Sequence, residues 1–163
     1  MDKILVSACL LGQPVRYDGG AYGALPLLRQ WQAQGRLVPL CPEVAGGLPT
    51  PRQPAEIPGG QGAAVLDGRV QVLDIEGRDV SRAFIAGAEL ALQRVRQHGI
   101  RYAVLKARSP SCGNSETYDG GFTGTRVAGE GVTAAALRRH GVRVFNETEL
   151  DQLARLLTET PEA

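Results

Sequence analysis

At 163 residues, 43% of them hydrophobic, the chain has apolar material for one globular domain with a proper core and needs no disulfides to fold. Its 18 Lys and Arg stand against 17 Asp and Glu, a net charge of +1, which gives no push toward nucleic acid or acidic membrane and argues for a small substrate. The opening MDKILVSACLLG has an acidic second residue and leads straight into a Gly-Gln-Pro turn, so it does not read as a signal peptide, and no run approaches a membrane span. A cytoplasmic location is the expectation, where thiols stay reduced. Three cysteines cannot pair completely, which makes metal ligation or catalysis the live reading of them.

In chain order, residues 3–8 (KILVSA) form a β-type run. GALPLLRQWQAQG has helical spacing through Leu25, Leu28 and Trp31, with Gly35 as a stop, and a second β-type run covers residues 37–41. The segment CPEVAGGLPTPRQPAEIPGG carries too many prolines for any element and reads as a functional loop. AAVLDGRVQVLD alternates around Asp67-Gly68, a dipeptide that supplies a type I′ hairpin turn. The clearest helix follows, with Ser81 as a possible cap, Phe84, Ala88, Leu92 and Val95 on one face and Gly99 past its end. Then come the strand RYAVLKA, a cysteine loop, the helix GVTAAALRRHG, the strand VRVF and a last helix ETELDQLARLL. This alternation predicts a single domain over 1–163 of α/β class: a Rossmann-like open, mostly parallel sheet with helices on both faces and a small β-hairpin excursion.

All three cysteines close strand-like runs: Cys9 ends KILVSAC, Cys41 ends RLVPLC, and Cys112 lies in the loop KARSPSCG. In an open parallel sheet, ligands bind outside the carboxyl ends of the strands. Separations of 32 and 71 residues exclude a compact CxxC ribbon or redox pair, so the fold itself must bring the thiols together. Three thiolates at one place make a soft-metal site, either zinc or iron-sulfur. His98 and His140 are poor candidates for a fourth ligand, since each precedes a glycine at a helix end, where histidine caps carbonyls. The bland alternative for each cysteine is a small buried hydrophobe, but CPE and SPSCG are not core sequences.

SACLLGQPVRYDG, CPEVAGGLPTPR, KARSPSCG and the later GEGVTAAALRRHGVRVFNE together resemble the signature blocks of the thiouracil desulfidase (TudS) family, in its short single-domain form. The resemblance runs over nearly the whole chain. It implies a 4Fe-4S cluster held by Cys9, Cys41 and Cys112 alone, with one iron open to the sulfur of a thiolated pyrimidine. It also implies a catalytic serine at Ser109. The activity implied is non-redox removal of sulfur from 2- or 4-thiouracil, giving uracil and hydrosulfide. Relatives with an extra C-terminal domain act on 4-thiouridine in tRNA, so a nucleoside or tRNA substrate is an alternative, not favoured by the balanced charge.

The chemistry needs a base for the attacking water and donors for the charge that develops on the ring. Glu43, two residues after Cys41, is the candidate base, and capping a helix or pairing with Arg52 is its structural alternative. Ser109 is a proton relay or a donor to substrate; Ser111, beside a ligand, touches substrate or supports the loop. Lys106 and Arg108 steady negative charge or are solvated strand-end cations. Arg16, Tyr17 and Asp18 line the substrate pocket or form an ordinary turn, and the second YDGG, at 118–121, reads as repeated turn chemistry. GGLPTPR offers backbone donors and a cation but lacks P-loop or dinucleotide spacing. From other classes, an iron-sulfur carrier, a zinc-binding interaction module without turnover, or metal-free thiolate catalysis also fit three such thiols.

Overall fold

The computed structural model describes residues 2–11, 25–49 and 52–159. Its centre is a four-stranded sheet in the order β2-β1-β5-β8, where β1 is Ile4–Ser7, β2 Leu37–Leu40, β5 Tyr102–Leu105 and β8 Arg143–Asn146. Every pairing is parallel, with Ile4 opposite both Leu37 and Tyr102, and Tyr102 opposite Arg143. The two inner strands, ILVS and YAVL, are buried at every position, the unbroken run expected of a strand covered on both faces. Pro39 cannot donate to a ladder and is accommodated because β2 is an edge strand.

Alternate side chains divide the core. Ile4, Val6, Tyr102 and Val104 face α1 (Pro26–Ala33) and α6 (Leu150–Glu159), where Leu28, Trp31 and Leu153 are buried against them. Leu5, Ala103 and Leu105 point the other way, onto α4 (Ser81–His98) and α5 (Val132–Arg139), through Ala91, Val95, Ala134 and Leu137. The sheet is therefore wound on both faces, as the alternation of elements predicts. Gly99, at φ 60, ends α4 in the left-handed conformation that glycine adopts freely. No helix among the described residues is long and apolar enough to cross a membrane.

Three local expectations are corrected. The Pro/Gly-rich segment holds two elements, α2 (Pro42–Ala45) and β3 (Ala55–Glu56). Pro42 occupies the first helical position, where its missing N–H is no loss and its fixed φ suits the helix. Asp67-Gly68 is not a hairpin corner: Gly62–Leu66 is a helix, α3, that buries Ala64 and Val65, and Gly68 at φ 74 lies just past its end. The tight turn comes later, where the Asp74 carboxylate accepts the Glu76 and Arg78 N–H groups. β4 (Leu73–Asp74) pairs antiparallel with β3 rather than with residues 64–66. Ser81 is the first residue of α4 and not its cap; Asp79 accepts the Ser81 N–H, and the Ser81 hydroxyl accepts from Val72. The hairpin excursion is found instead at β6 (Glu116–Tyr118) and β7 (Arg126–Ala128).

Close packing against α4 fixes the position of the segment that leaves β2. α2 lies on α4 with no room for a side chain between them: a Cβ on Gly87 would stand 2.0 Å from the Pro42 carbonyl oxygen, and one on Gly46 would stand 2.0 Å from the Ala83 carbonyl oxygen. Glycine inside a helix is normally destabilising by about 1 kcal/mol relative to alanine. Here the sign reverses, because the obstacle is backbone. Gly87→Ala is expected to destabilise the protein by about 1–3 kcal/mol, read as a lower urea midpoint. Glu89→Ala, on the exposed side of the same helix, is expected to stay within about 0.5 kcal/mol of the unsubstituted protein.

Candidate active site

β2, β1 and β5 lie side by side and run the same way, so the loops leaving their carboxyl ends meet at one edge of the sheet. Cys9 sits in the 3-10 turn Ala8–Leu11 directly after β1, Cys41 directly after β2, and Cys112 in the loop beyond β5. All three line one cavity of about 530 Å³. Cys9 and Cys112 are buried, Cys41 is partly so, and none of the three is in a disulfide.

Each loop is built to present its sulfur. Cys41 has extended backbone at the start of α2, so the Glu43 and Val44 N–H groups are directed at its thiol. Burial pushes the Cys41 thiol up; those N–H groups and Arg52 act against this, while the charge of Glu43 adds to it. For Cys112, burial pushes the thiol up to about 12. The Ser7 hydroxyl, 3.6 Å from the Cys112 sulfur, works the other way, and the charges of Glu43, Cys41 and Cys9 raise it further. Ser7 is fixed in turn, because its oxygen accepts the Lys106 N–H at 3.0 Å.

The Cys112 loop is held chiefly by α5. The first N–H groups of a helix have no acceptor within it. Here the Pro110 carbonyl takes the Val132 N–H at 2.8 Å, Ser111 those of Thr133 and Ala134 at 2.8 and 3.2 Å, and Gly113 that of Gly131 at 2.7 Å. A Cβ on Gly131 would stand 2.4 Å from the Ser111 carbonyl carbon, so only glycine allows this approach. Ser109 closes the turn from within, its oxygen accepting the Cys112 N–H at 2.7 Å and the Ser111 N–H at 3.2 Å. On the far side, Asn114 donates to the Val144 carbonyl at 3.1 Å and to Glu149 at 2.9 Å, tying the loop to β8.

Glu43 lines the cavity from the first turn of α2, and Arg52 donates to its Oε1 at 2.5 Å. With the two side chains 15% and 7% exposed, this is an enclosed pair, and Arg52 also stacks over the Phe84 ring at 5.6 Å. The two readings of Glu43 are therefore compatible, since a carboxylate at the cavity wall is also the partner of Arg52. Ser109, Lys106 and Arg108 line the same cavity. Lys106 pairs with Glu147 at 3.1 Å, which also accepts the Ala107 N–H.

Ser111 does not reach the cavity. It is 0% exposed and its hydroxyl is bonded to Thr133 at 3.1 Å, so it supports the loop and does not touch a ligand there. Arg16, Tyr17 and Asp18 lie outside the described residues. His140 caps as its position suggests, with Nδ1 3.0 Å from the Ala136 carbonyl oxygen.

Sequence reasoning missed Ser7, Glu56, Ile75, Tyr118 and Phe122, all of which line the cavity. A serine at the end of an otherwise apolar strand was an available signal for Ser7. Nothing comparable marked Glu56 or Ile75, which reach the cavity from the β3–β4 ribbon. Tyr118 and Phe122 arrive on the β6–β7 hairpin, whose second YDGG was legible only as a turn.

Among the described residues, no three Cys, His, Asp or Glu side chains stand close enough to hold one common metal ion. In a cubane each thiolate takes a different iron, so its ligands stand further apart than those of a single ion. Three converging thiols with backbone and hydroxyl donors directed at two of their sulfurs suit such a cluster.

A solved structure of a [4Fe-4S]-dependent thiouracil desulfidase, TudS, is similar at a TM-score of 0.89 and 51% identity, over 98% of this chain and 100% of that one. The uncharacterized protein YbbK of Bacillus subtilis (strain 168) is 41% identical over 150 residues, 92% of this chain and 99% of its own. The family model described as 2-thiouracil desulfurase matches residues 4–149, and the chain belongs to that family of enzymes.

Proposed function

We propose that this protein is a [4Fe-4S]-dependent desulfidase that hydrolyses a thiolated pyrimidine, 2- or 4-thiouracil, to uracil and hydrosulfide. The observation that carries the reading is the convergence of Cys9, Cys41 and Cys112 with Glu43 and Ser109 on one cavity. The three thiols would hold the cluster, each giving up its proton on loading. Ser7 and the Glu43 and Val44 N–H groups then serve as donors to sulfur. Arg52 and Lys106 add positive charge to the cavity lining, beside their partners Glu43 and Glu147. Held by Cys9, Cys41 and Cys112 alone, such a cluster would supply one iron without a protein ligand as a soft Lewis acid for the thiocarbonyl sulfur, which would make that sulfur a better leaving group.

The protein's own groups do the rest. Glu43, oriented by Arg52 through Oε1, takes a proton from water as its oxygen bonds to the ring carbon. The hydroxyl proton that remains on the adduct passes to sulfur as the carbon-sulfur bond breaks, so sulfur leaves as hydrosulfide with the bonding pair, the ring keeps a carbonyl oxygen in its place, and Glu43 releases the first proton to solvent. No electron is gained or lost. The Ser109 oxygen is occupied as an acceptor of loop N–H groups, which leaves its own proton to be donated to the ring as charge develops there.

Single Cys9→Ala, Cys41→Ala and Cys112→Ala variants are each expected to lose thiouracil turnover on the order of 100-fold or more, together with bound iron. Full activity in any one of them contradicts the three-cysteine site. Glu43→Gln should lower kcat by about 10²–10⁴-fold while iron and sulfide stay at the level of the unsubstituted protein. An iron-loaded protein in which Glu43→Gln changes nothing, and which turns over neither thiouracil, is a carrier and not a desulfidase.

A further inference from the structure

Two non-glycine residues among those described have positive φ, Arg108 at 69° and Phe122 at 57°, and both line the cavity. A bulky side chain in this region is strained, and such strain persists only where surrounding contacts hold it. For Arg108 the tight cysteine loop is sufficient reason. For Phe122 it is not: the hairpin tip already has glycines at 120, 121 and 124, and a further glycine would adopt φ 57° freely.

The ring also does nothing for the core. Phe84 and Phe145, the other two phenylalanines, are buried, whereas Phe122 is partly exposed and belongs to none of the core clusters. Its place is nevertheless fixed. The Oε1 oxygen of Glu56 accepts the Gly120 N–H at 2.9 Å and the Phe122 N–H at 3.3 Å. Gly59 N–H to Asp119 and the Thr117 hydroxyl to Gly60 bind the rest of the hairpin to the same segment. Ile75, 53% exposed, adds a second large apolar surface to the cavity. This aromatic ring, held in a strained conformation by a dedicated carboxylate in a cavity with another uncovered apolar side chain, stacks on no other ring among the described residues.

We infer that Phe122 stacks on the planar pyrimidine ring of the substrate and that Glu56 is its positioning residue, latching the hairpin tip through two backbone N–H groups. This rests on the desulfidase reading. It assigns substrate binding to one face of the hairpin and leaves the chemistry to the thiol end of the cavity. Glu56 acts through Phe122 and takes no proton.

The test uses cluster-loaded protein prepared without oxygen, with Kd for uracil and 2-thiouracil from calorimetry, KM and kcat for 2-thiouracil, iron content and Tm for each variant. Phe122→Gly should weaken Kd and raise KM about tenfold, as loss of a base-aromatic stack does, with kcat within about twofold. Its iron should be unchanged and its Tm equal or higher, because glycine relieves the strained φ. Phe122→Tyr should restore binding. Glu56→Ala should reproduce the KM effect, and Glu56→Gln, which keeps an amide oxygen as acceptor, should largely rescue it.

Unchanged Kd and KM in Phe122→Gly at full iron overturn the inference and leave the desulfidase reading standing. Protein that binds both pyrimidines through Phe122 but does not turn over thiouracil overturns that reading and not the stack. Failure of the unsubstituted, loaded protein to bind either pyrimidine overturns both.

Discussion

The site depends first on the parallel pairing of β2, β1 and β5. Cys9, Cys41 and Cys112 are 32 and 71 residues apart in sequence, and no local motif could join them. Parallel pairing, with Ile4 level with both Leu37 and Tyr102, brings the three carboxyl ends to one edge. A one-residue slip of any strand would exchange its faces, losing both halves of the core. The hydrophobic pattern that stabilises the fold is thus the same pattern that assembles the thiols.

Bringing thiols together out of water works against their use as thiolates. Burial and mutual repulsion raise Cys112 strongly, so an empty site is best stabilised with its protons on. A bound metal would reverse this preference, since thiolates that ligate iron would share their charge with it. Two sets of fixed donors would suit that state, the Ser7 hydroxyl and the N–H groups at the start of α2, while the α5 N-terminus shapes the Cys112 loop through that loop's carbonyls. Close packing makes these placements rigid. Gly87 lets α2 lie on α4, and Gly131 lets α5 approach the Cys112 loop to backbone contact.

How much of this is legible in the sequence depends on the range of the interactions. The alternating strands and helices, the two-faced sheet and the three thiols at strand ends come from local periodicity, and they can be read directly. Helix α3 reads as a hairpin because Ala-Ala-Val-Leu before Asp-Gly fits either period, and packing decides between them. Ser111 and Ser109 stand two residues apart and look alike in sequence, yet only tertiary contact sends one to Thr133 and leaves the other at the cavity wall. Phe122 and Glu56 are invisible for the same reason, being 66 residues apart and joined by a carboxylate-to-backbone bond that leaves no periodic trace.

The central claim is that three thiols hold a cubane and not a single ion. Its most direct test is the content of iron, zinc and acid-labile sulfide per chain in protein purified and reconstituted without oxygen. The account predicts iron and sulfide in equal amounts, about four of each, with no zinc. Zinc alone, or neither iron nor sulfide after reconstitution, would contradict it.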